Sequence, residues 1–338
     1  MIGPQHGLQF TMTSPNIQGD KTNPPTQSTD AHILPITALA NSIRHTGLLQ
    51  RTLQLAHDED LGPNAQDWTG QLMFTPDQTS TANLVMRQQG IIAGLAFIPD
   101  ILTIFTRPTE SIHWTPQSED GDAVNTGDTL GTLTGSSIAL VRTERTLLNL
   151  ISRMSGIATR TNQFVQLAKG TQAKICDTRK TTPGLRVFEK YAVRCGGGTS
   201  HRMGLFDALL IKDNHLAGLD EQSFKTRIQS ASTKARQQNL QFIQVEVDTL
   251  EQLGWVLSLK QGTIDIVLLD NMPPQTLTKA VAMRNTSNPQ LQLEASGGIN
   301  ESTLPAIAKT GIDRISIGGL THQAVSLDIG LDIGLNTQ

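Results

Sequence analysis

Four short apolar runs in the second half of the chain each end on a polar residue or a glycine, and they recur at a nearly constant interval. "FIQVEVD" delivers Glu246, "IDIVLLDN" delivers Asp270, "LQLEASGG" delivers Ser296 and "DRISIGG" delivers Gly318, at spacings of 24, 26 and 22 residues. That is the length of one βα unit, and a helical pattern follows each run. Alternating strands and helices imply a parallel sheet. "AKICDTRK" and "ALLIKDNH" fit as two earlier strands. A doubly wound sheet with polar loop residues would carry the same beat. Functional side chains arriving at the C-terminal ends of successive strands favour a barrel, whose active face lies there.

The last two units point to phosphate. "SGGI" (296–299) and "IGGLTH" (317–322) both set glycines where a strand ends and a helix is expected to begin. There, bare backbone N–H groups and a helix dipole can meet an anion. A single glycine pair is as often a simple turn, but two on consecutive units near the end of a barrel match the usual phosphate site of such folds. A sugar phosphate is the natural ligand. Glu246 and Asp270 would offer two carboxylates on adjacent strand ends, suited to ribose hydroxyls or to Mg²⁺. A buried acid pair in an ion-pair network is the other reading.

A strip of positive charge asks for the same kind of ligand. Between Asp177 and Lys212 stand Arg179, Lys180, Arg186, Lys190, Arg194, Arg202 and Lys212, against only Asp177, Glu189 and Asp207. The whole chain nevertheless has a formal net charge of −3. One basic strip in a nearly neutral protein suits a small anion better than a nucleic acid, which would call for a basic domain. No apolar run approaches the 18 or so residues of a membrane span, and no leader pattern opens the chain, so a cytoplasmic protein is expected. Cys176 and Cys195 are too few for a disulfide framework and lack metal-ligand spacing. His201, His215 and Glu246 likewise lack the compact spacing of a zinc site.

The first 33 residues are rich in Pro, Thr, Gln and Asn and read as a disordered tail. A helical pattern starts at Leu34. Strand-like pieces follow, "TANLVMR", "GIIAGLAFI" and "GDTLGTLTG", making an α+β domain over 34–145. A long helix is then expected, with Thr143 as N-cap and Gly170 as its stop, leading into a barrel over 146–322. The last stretch, 323–338, alternates in "VSLDIGLDIGL" and reads as a strand returning to the N-terminal sheet.

At the level of motifs, "TRKTTPGLR", "GGGTSHRMGLFDALLIKDNH", "LLDNM", "EASGGI" and "ISIGGLTH" resemble the quinolinate phosphoribosyltransferase family, as do "HDEDLG", "GDAVNTGDTL" and "ERTLLNLISRMSGIAT" upstream. The resemblance implies an N-terminal α/β sandwich domain, a C-terminal incompletely closed α/β barrel and a homodimer. It implies transfer of phosphoribosyl from 5-phosphoribosyl-1-diphosphate to quinolinate with decarboxylation, assisted by Mg²⁺. By the same resemblance Arg179, Arg202 and Lys212 hold the quinolinate carboxylates, with Thr178 and His201 beside them. Lys180, Glu246 and Asp270 face the phosphoribosyl diphosphate and its metal. Ser296, Gly297, Gly298, Gly318, Gly319 and His322 cradle its 5-phosphate. Lys180, Lys212, Glu246 and Asp270 form the catalytic set, and Arg145 reaches into the partner's site. Arg186, Lys190 and Arg194 fall by default to solvated helix or ion pairs.

Three departures from the family pattern stand out: Ser200 where Asn is usual, Gly319 where Ala is common, and Gln66 where Gly is usual. Two other functions share part of this pattern. A related pyrophosphorylase-like enzyme found with molybdenum transport would share the fold, but the full "TRK", "HR" and "KDNH" set argues for quinolinate. The "DGDAVNTGDTLGTLTG" segment resembles a biotinyl or lipoyl carrier sheet, but such a carrier needs a lysine and none lies between Lys21 and Lys169.

Overall fold

A computed structural model describes residues 34–238 and 240–335; the expected tail over 1–33 and the last residues, 336–338, lie outside it. The N-terminal part runs α1 (Ile36–His45), α2 (Leu48–Leu61), α3 (Trp68–Met73), β1 (Thr79–Met86), β2 (Gly90–Ile91), α4 (Ile98–Phe105), β3 (Ile112–Pro116), β4 (Ala123–Val124) and β5 (Thr129–Ser136). Strand β1 buries Ser80, Ala82, Leu84 and Met86 on one face, as the period of two requires. It pairs antiparallel with β5 and, on its other side, with β12 (Ile329–Leu335), giving the order β12-β1-β5-β3.

Two local expectations fail here. "GIIAGLAFI" extends only through β2, because Gly94 turns the chain at φ +108 and the carboxylate of Asp120 accepts the N–H groups of Leu95 and Ala96. Those two bonds start a 3₁₀ turn that runs into α4. The long helix α5 (Ser137–Leu167) begins earlier than Thr143. Ser136 supplies the capping oxygen to the N–H of Ala139, while the Thr143 hydroxyl donates back to the Ala139 carbonyl inside the helix. Gly170 lies just beyond its end with φ +85.

After α5 the chain alternates: β6 (Lys174–Cys176), α6 (Arg186–Cys195), β7 (Leu209–Ile211), α7 (Asp213–Leu216), α8 (Glu221–Arg236), β8 (Ile243–Val247), α9 (Leu250–Leu257), β9 (Ile266–Asp270), α10 (Pro274–Ser287), β10 (Gln292–Ser296), α11 (Leu304–Ala308), β11 (Arg314–Ser316) and α12 (Gly319–His322). Six strands pair in parallel in the order β6-β11-β10-β9-β8-β7. The first strand thus sits beside the last, as in a barrel, yet the ladder stays open between β6 and β7. Thr199 bridges to Cys176 on the outer side of β6, and the segment after it covers the opening.

Buried ionic contacts tie that cover down. Lys190 and the backbone N–H of His201 both donate to the Asp177 carboxylate. Arg186 donates to the Met203 carbonyl at 3.1 Å, and Asp207 accepts the N–H groups of Met203 and Gly204. Arg194 donates to the Leu34 carbonyl at 2.9 Å. None of the three cations assigned by default is a solvated surface charge: Lys190 is fully buried, and Arg186 and Arg194 fasten backbone. Helix α5 joins the two parts. Its Arg153 binds Glu189 and the carbonyls of Thr321 and Ala324, and the Tyr191 hydroxyl of α6 donates to Asp120 at 2.7 Å.

Candidate active site

At the C-terminal ends of the parallel strands lies a cavity of about 860 Å³. It is lined by Thr178, Arg179, Lys180, His201, Arg202, Lys212, Glu246, Asp270, Ser296, Gly297, Gly298, Gly318, Gly319 and His322. Every site residue expected from the sequence is thus in one place except Arg145. That side chain is largely exposed on α5 and pairs with Glu144 at 2.6 Å.

One side of the cavity is cationic. Arg179 and Lys180 follow the C-terminal end of β6, and among the described residues neither side chain meets a carboxylate. Arg202 sits beside Arg179; burial and the like charge of Arg179 together lower the Arg202 guanidinium from its ordinary value. Such a pair is stabilised by a bound dianion and strained without one. His201 accepts the Arg202 backbone N–H on Nδ1 at 2.8 Å, which leaves Nε2 to carry the ring proton toward Glu294, 3.4 Å away.

The opposite side is acidic. The register sets Glu246 across from Leu268, two residues before Asp270, so both carboxylates leave adjacent strands near one level. Burial raises both carboxyls above their ordinary values. Lys212, at 3.9 Å from Glu246, only partly offsets this, and Asp213 and Asp248 add like charge to both. All donors here are hard oxygens, which suit Mg²⁺. Among the described residues no three His, Cys, Asp or Glu side chains cluster closely enough to hold a metal alone. A cation would therefore be shared with a ligand's phosphates.

Between the two sides run the glycine loops. Gly297 and Gly298 have φ of +95° and +60°, open to glycine at little cost, and a Cβ on Gly297 would stand 2.2 Å from the Asn271 side chain. A Cβ on Gly318 would meet Lys180 Cδ at 2.6 Å, so the bare backbone is what lets Lys180 lie across this loop. The first loop reaches its helix only after a further turn over 300–303, later than the sequence pattern suggests; α12 starts at Gly319 as expected.

Sequence reasoning missed Glu294 at the cavity floor. It is fully buried and accepts the Arg314 Nε–H at 2.8 Å. The available signal was a charge in each of two apolar runs, two residues before Ser296 and Ser316, hence on the same face as those strand-end residues. The cysteines carry no chemistry here. Both are free and buried, and burial pushes the Cys176 thiol up to about 12.

With this geometry in hand, comparison with known proteins is decisive. The chain matches the quinolinate phosphoribosyl transferase N-terminal domain over residues 67–155 and the C-terminal domain over 157–332. The chain belongs to the quinolinate phosphoribosyltransferase family. Within this family, the carboxylating nicotinate-nucleotide pyrophosphorylase of Mycobacterium leprae is 39% identical over 83% of this chain and 96% of its own length. The chloroplastic enzyme of that name from Arabidopsis thaliana is 36% identical, covering 84% and 82%. The crystal structure of the nicotinate-nucleotide pyrophosphorylase from Ehrlichia chaffeensis superposes with a TM-score of 0.73 at 34% identity, over 87% of this chain and 98% of that one. The Francisella tularensis protein gives 0.71 at 33%, over 90% and 99%. The quinolinate phosphoribosyltransferase fold, an antiparallel N-terminal domain and an open parallel α/β barrel, is therefore the fold of this chain. Among the described residues no helix is long and apolar enough to cross a membrane.

Proposed function

We propose that this chain transfers the phosphoribosyl group of 5-phosphoribosyl-1-diphosphate to quinolinate and releases diphosphate and CO₂, giving nicotinate mononucleotide on the way to NAD. The observation that carries this reading is the juxtaposition of Arg179 and Arg202, two guanidiniums at one end of a cavity whose other end holds carboxylates, with the glycine loops between them. A pyridine dicarboxylate fills the first end and a sugar diphosphate the second.

Arg179, Arg202 and Lys212 hold the two carboxylates, with Thr178 and His201 alongside, and so aim the ring nitrogen at the anomeric carbon. The N–C bond forms as the C–O bond to diphosphate breaks, and Lys180 takes up the charge that develops on the leaving oxygen. The C–C bond to the 2-carboxylate then breaks; its electron pair stays on the ring carbon and takes a proton. Orientation and fixed charge carry both steps, so no side-chain nucleophile is needed. Ser296, Gly297, Gly298, Gly318, Gly319 and His322 receive the 5-phosphate. Glu246 and Asp270 bind ribose hydroxyls and would hold Mg²⁺, which would supply charge neutralisation for diphosphate.

The same proposal includes a homodimer in which Arg145 completes the partner's site. Its support is a set of exposed apolar side chains: Trp68, Leu72 and Met73 on α3, which packs against α5, and Leu205 and Phe206 after Arg202. Surface of this kind commonly marks an interface. A cytoplasmic location belongs to the proposal as well, supported by the two unpaired cysteines.

The test is direct. Purified protein is incubated with quinolinate, phosphoribosyl diphosphate and Mg²⁺, and nicotinate mononucleotide and CO₂ are followed, with nicotinate as the competing acid. A monoacid leaves a buried cation unpaired and should turn over poorly. Comparable turnover of the two acids would exclude the assignment.

A further inference from the structure

Arg160 of α5 stands outside the barrel, yet each of its three guanidinium nitrogens meets an oxygen at the phosphate end of the cavity. Nε donates to the Gly319 carbonyl at 2.8 Å, one terminal nitrogen pairs with Glu301 at 3.0 Å, and the other donates to Gln323 Oε1 at 3.3 Å. Gly319 opens α12 directly after the glycine loop that follows β11, Gln323 closes that helix, and Glu301 follows the loop after β10. One side chain therefore spans both glycine loops from behind, its guanidinium carbon lying over the buried Phe164 ring at 5.2 Å from the centroid.

The Gln323 contact has a directional consequence. A guanidinium only donates, so the carboxamide must turn its oxygen to Arg160 and its N–H₂ group away from it. Gln323 lines the cavity. The N–H₂ group is thus free to serve an anion there. Gly319 makes room for this: a Cβ at that position would stand 2.6 Å from Gln323 Oε1. The glycine that departs from the usual alanine of the family and the Arg160–Gln323 pair are parts of one arrangement.

We propose that Arg160 is a positioning residue for the phosphoryl end of the substrate, holding the two glycine loops at a fixed separation and orienting Gln323 as an additional phosphate ligand. With all three nitrogens engaged by protein oxygens, Arg160 acts through its partners. The inference rests on the reading of these loops as the 5-phosphate site.

The experiment measures KM for phosphoribosyl diphosphate, KM for quinolinate, and competitive inhibition by ribose 5-phosphate in the wild type and in Arg160→Ala, Arg160→Lys, Gln323→Ala and Gly319→Ala. Arg160→Ala and Gln323→Ala should each raise the phosphoribosyl diphosphate KM and the ribose 5-phosphate Ki about tenfold, the scale of one charged hydrogen bond. KM for quinolinate should stay within about twofold, which general loosening of the fold would not allow. Arg160→Lys should fall between wild type and Arg160→Ala. Gly319→Ala displaces only the end of a flexible side chain, so it should fold normally and resemble Gln323→Ala, which covers the case of an unstable Arg160 variant. A rise in both KM values together, or an unchanged Ki, overturns the inference while leaving the loop reading intact. Failure of ribose 5-phosphate to compete in the wild type overturns both.

Discussion

Glu294 and Arg314 stand directly opposite each other on adjacent strands, and the carboxylate accepts the guanidinium Nε–H at 2.8 Å beneath the cavity floor. Both are buried where barrels usually pack aliphatic side chains. Removing one partner strands the other charge, so Glu294→Ala should cost about 3–5 kcal/mol in urea unfolding. The double variant Glu294→Leu with Arg314→Met should recover most of it. Equal stability of the single variant and the wild type would refute the pairing.

The same carboxylate makes stability depend on acid. Burial alone would raise the Glu294 carboxyl, but His201 and Arg314 hold it well below the usual carboxylate range. The unfolded chain therefore binds this proton at higher pH than the folded one. The stabilisation is present above the unfolded value of about 4.3 and fades as pH falls below it. In Glu294→Gln the fall of stability with acid should be shallower by up to ~1.4 kcal/mol per pH unit below about pH 4, read from urea midpoints across that range.

Arg202→Ala should weaken quinolinate binding about 10²-fold or more, since losing a charged bidentate contact costs roughly 2–5 kcal/mol. Its thermal midpoint without ligand should hold or rise, because the variant relieves the repulsion with Arg179. Calorimetric titration with quinolinate would read the first effect and a melting curve the second.

Glu246 and Asp270 carry carboxyls raised by burial and by the like charge of Asp213 and Asp248. Protons should therefore compete with Mg²⁺ at higher pH than for exposed carboxylates. Activity should fall on the acid side with a limb above the ordinary carboxylate range, and raising Mg²⁺ should move that limb to lower pH. A limb that ignores Mg²⁺ would place the cation elsewhere.

Arg145→Ala and Lys212→Ala should each be inactive alone and regain activity when co-expressed. In a mixed dimer that shares sites, one of the two sites draws both residues from intact copies. No recovery, with the mixed dimer confirmed by differential tagging, would restrict Arg145 to its own subunit.

Much of the site was legible because its residues sit at strand ends, where a polar side chain interrupts an apolar run at a fixed beat. Glu246, Asp270, Ser296 and Gly318 were readable in this way. Glu294 and Arg314 left only a weaker trace, a charge within each apolar run, whose meaning as a pair depends on the cross-strand register. Arg160 was unreadable for a similar reason: its partners lie more than a hundred positions downstream. "GIIAGLAFI" has strand composition, and the Asp120 carboxylate that turns it into a 3₁₀ start is also a tertiary partner. For Lys190 the sequence left solvated helix and ion pair open, because its partner Asp177, which holds it buried, lies thirteen positions upstream.

Strand β12 lies at the edge of the N-terminal sheet beside β1, from Met86 opposite Ile329 to Ser80 opposite Leu335. On the ribosome this order has a temporal meaning. At about 5–20 residues per second, β1 waits on the order of tens of seconds for its neighbour to be made. Throughout that interval the growing chain presents an unpaired strand edge, the kind of surface that recruits other nascent chains. Every strand of the open barrel, β6 to β11, is made between β1 and β12, so the N-terminal sheet gains its edge strand only after the barrel strands have been synthesised.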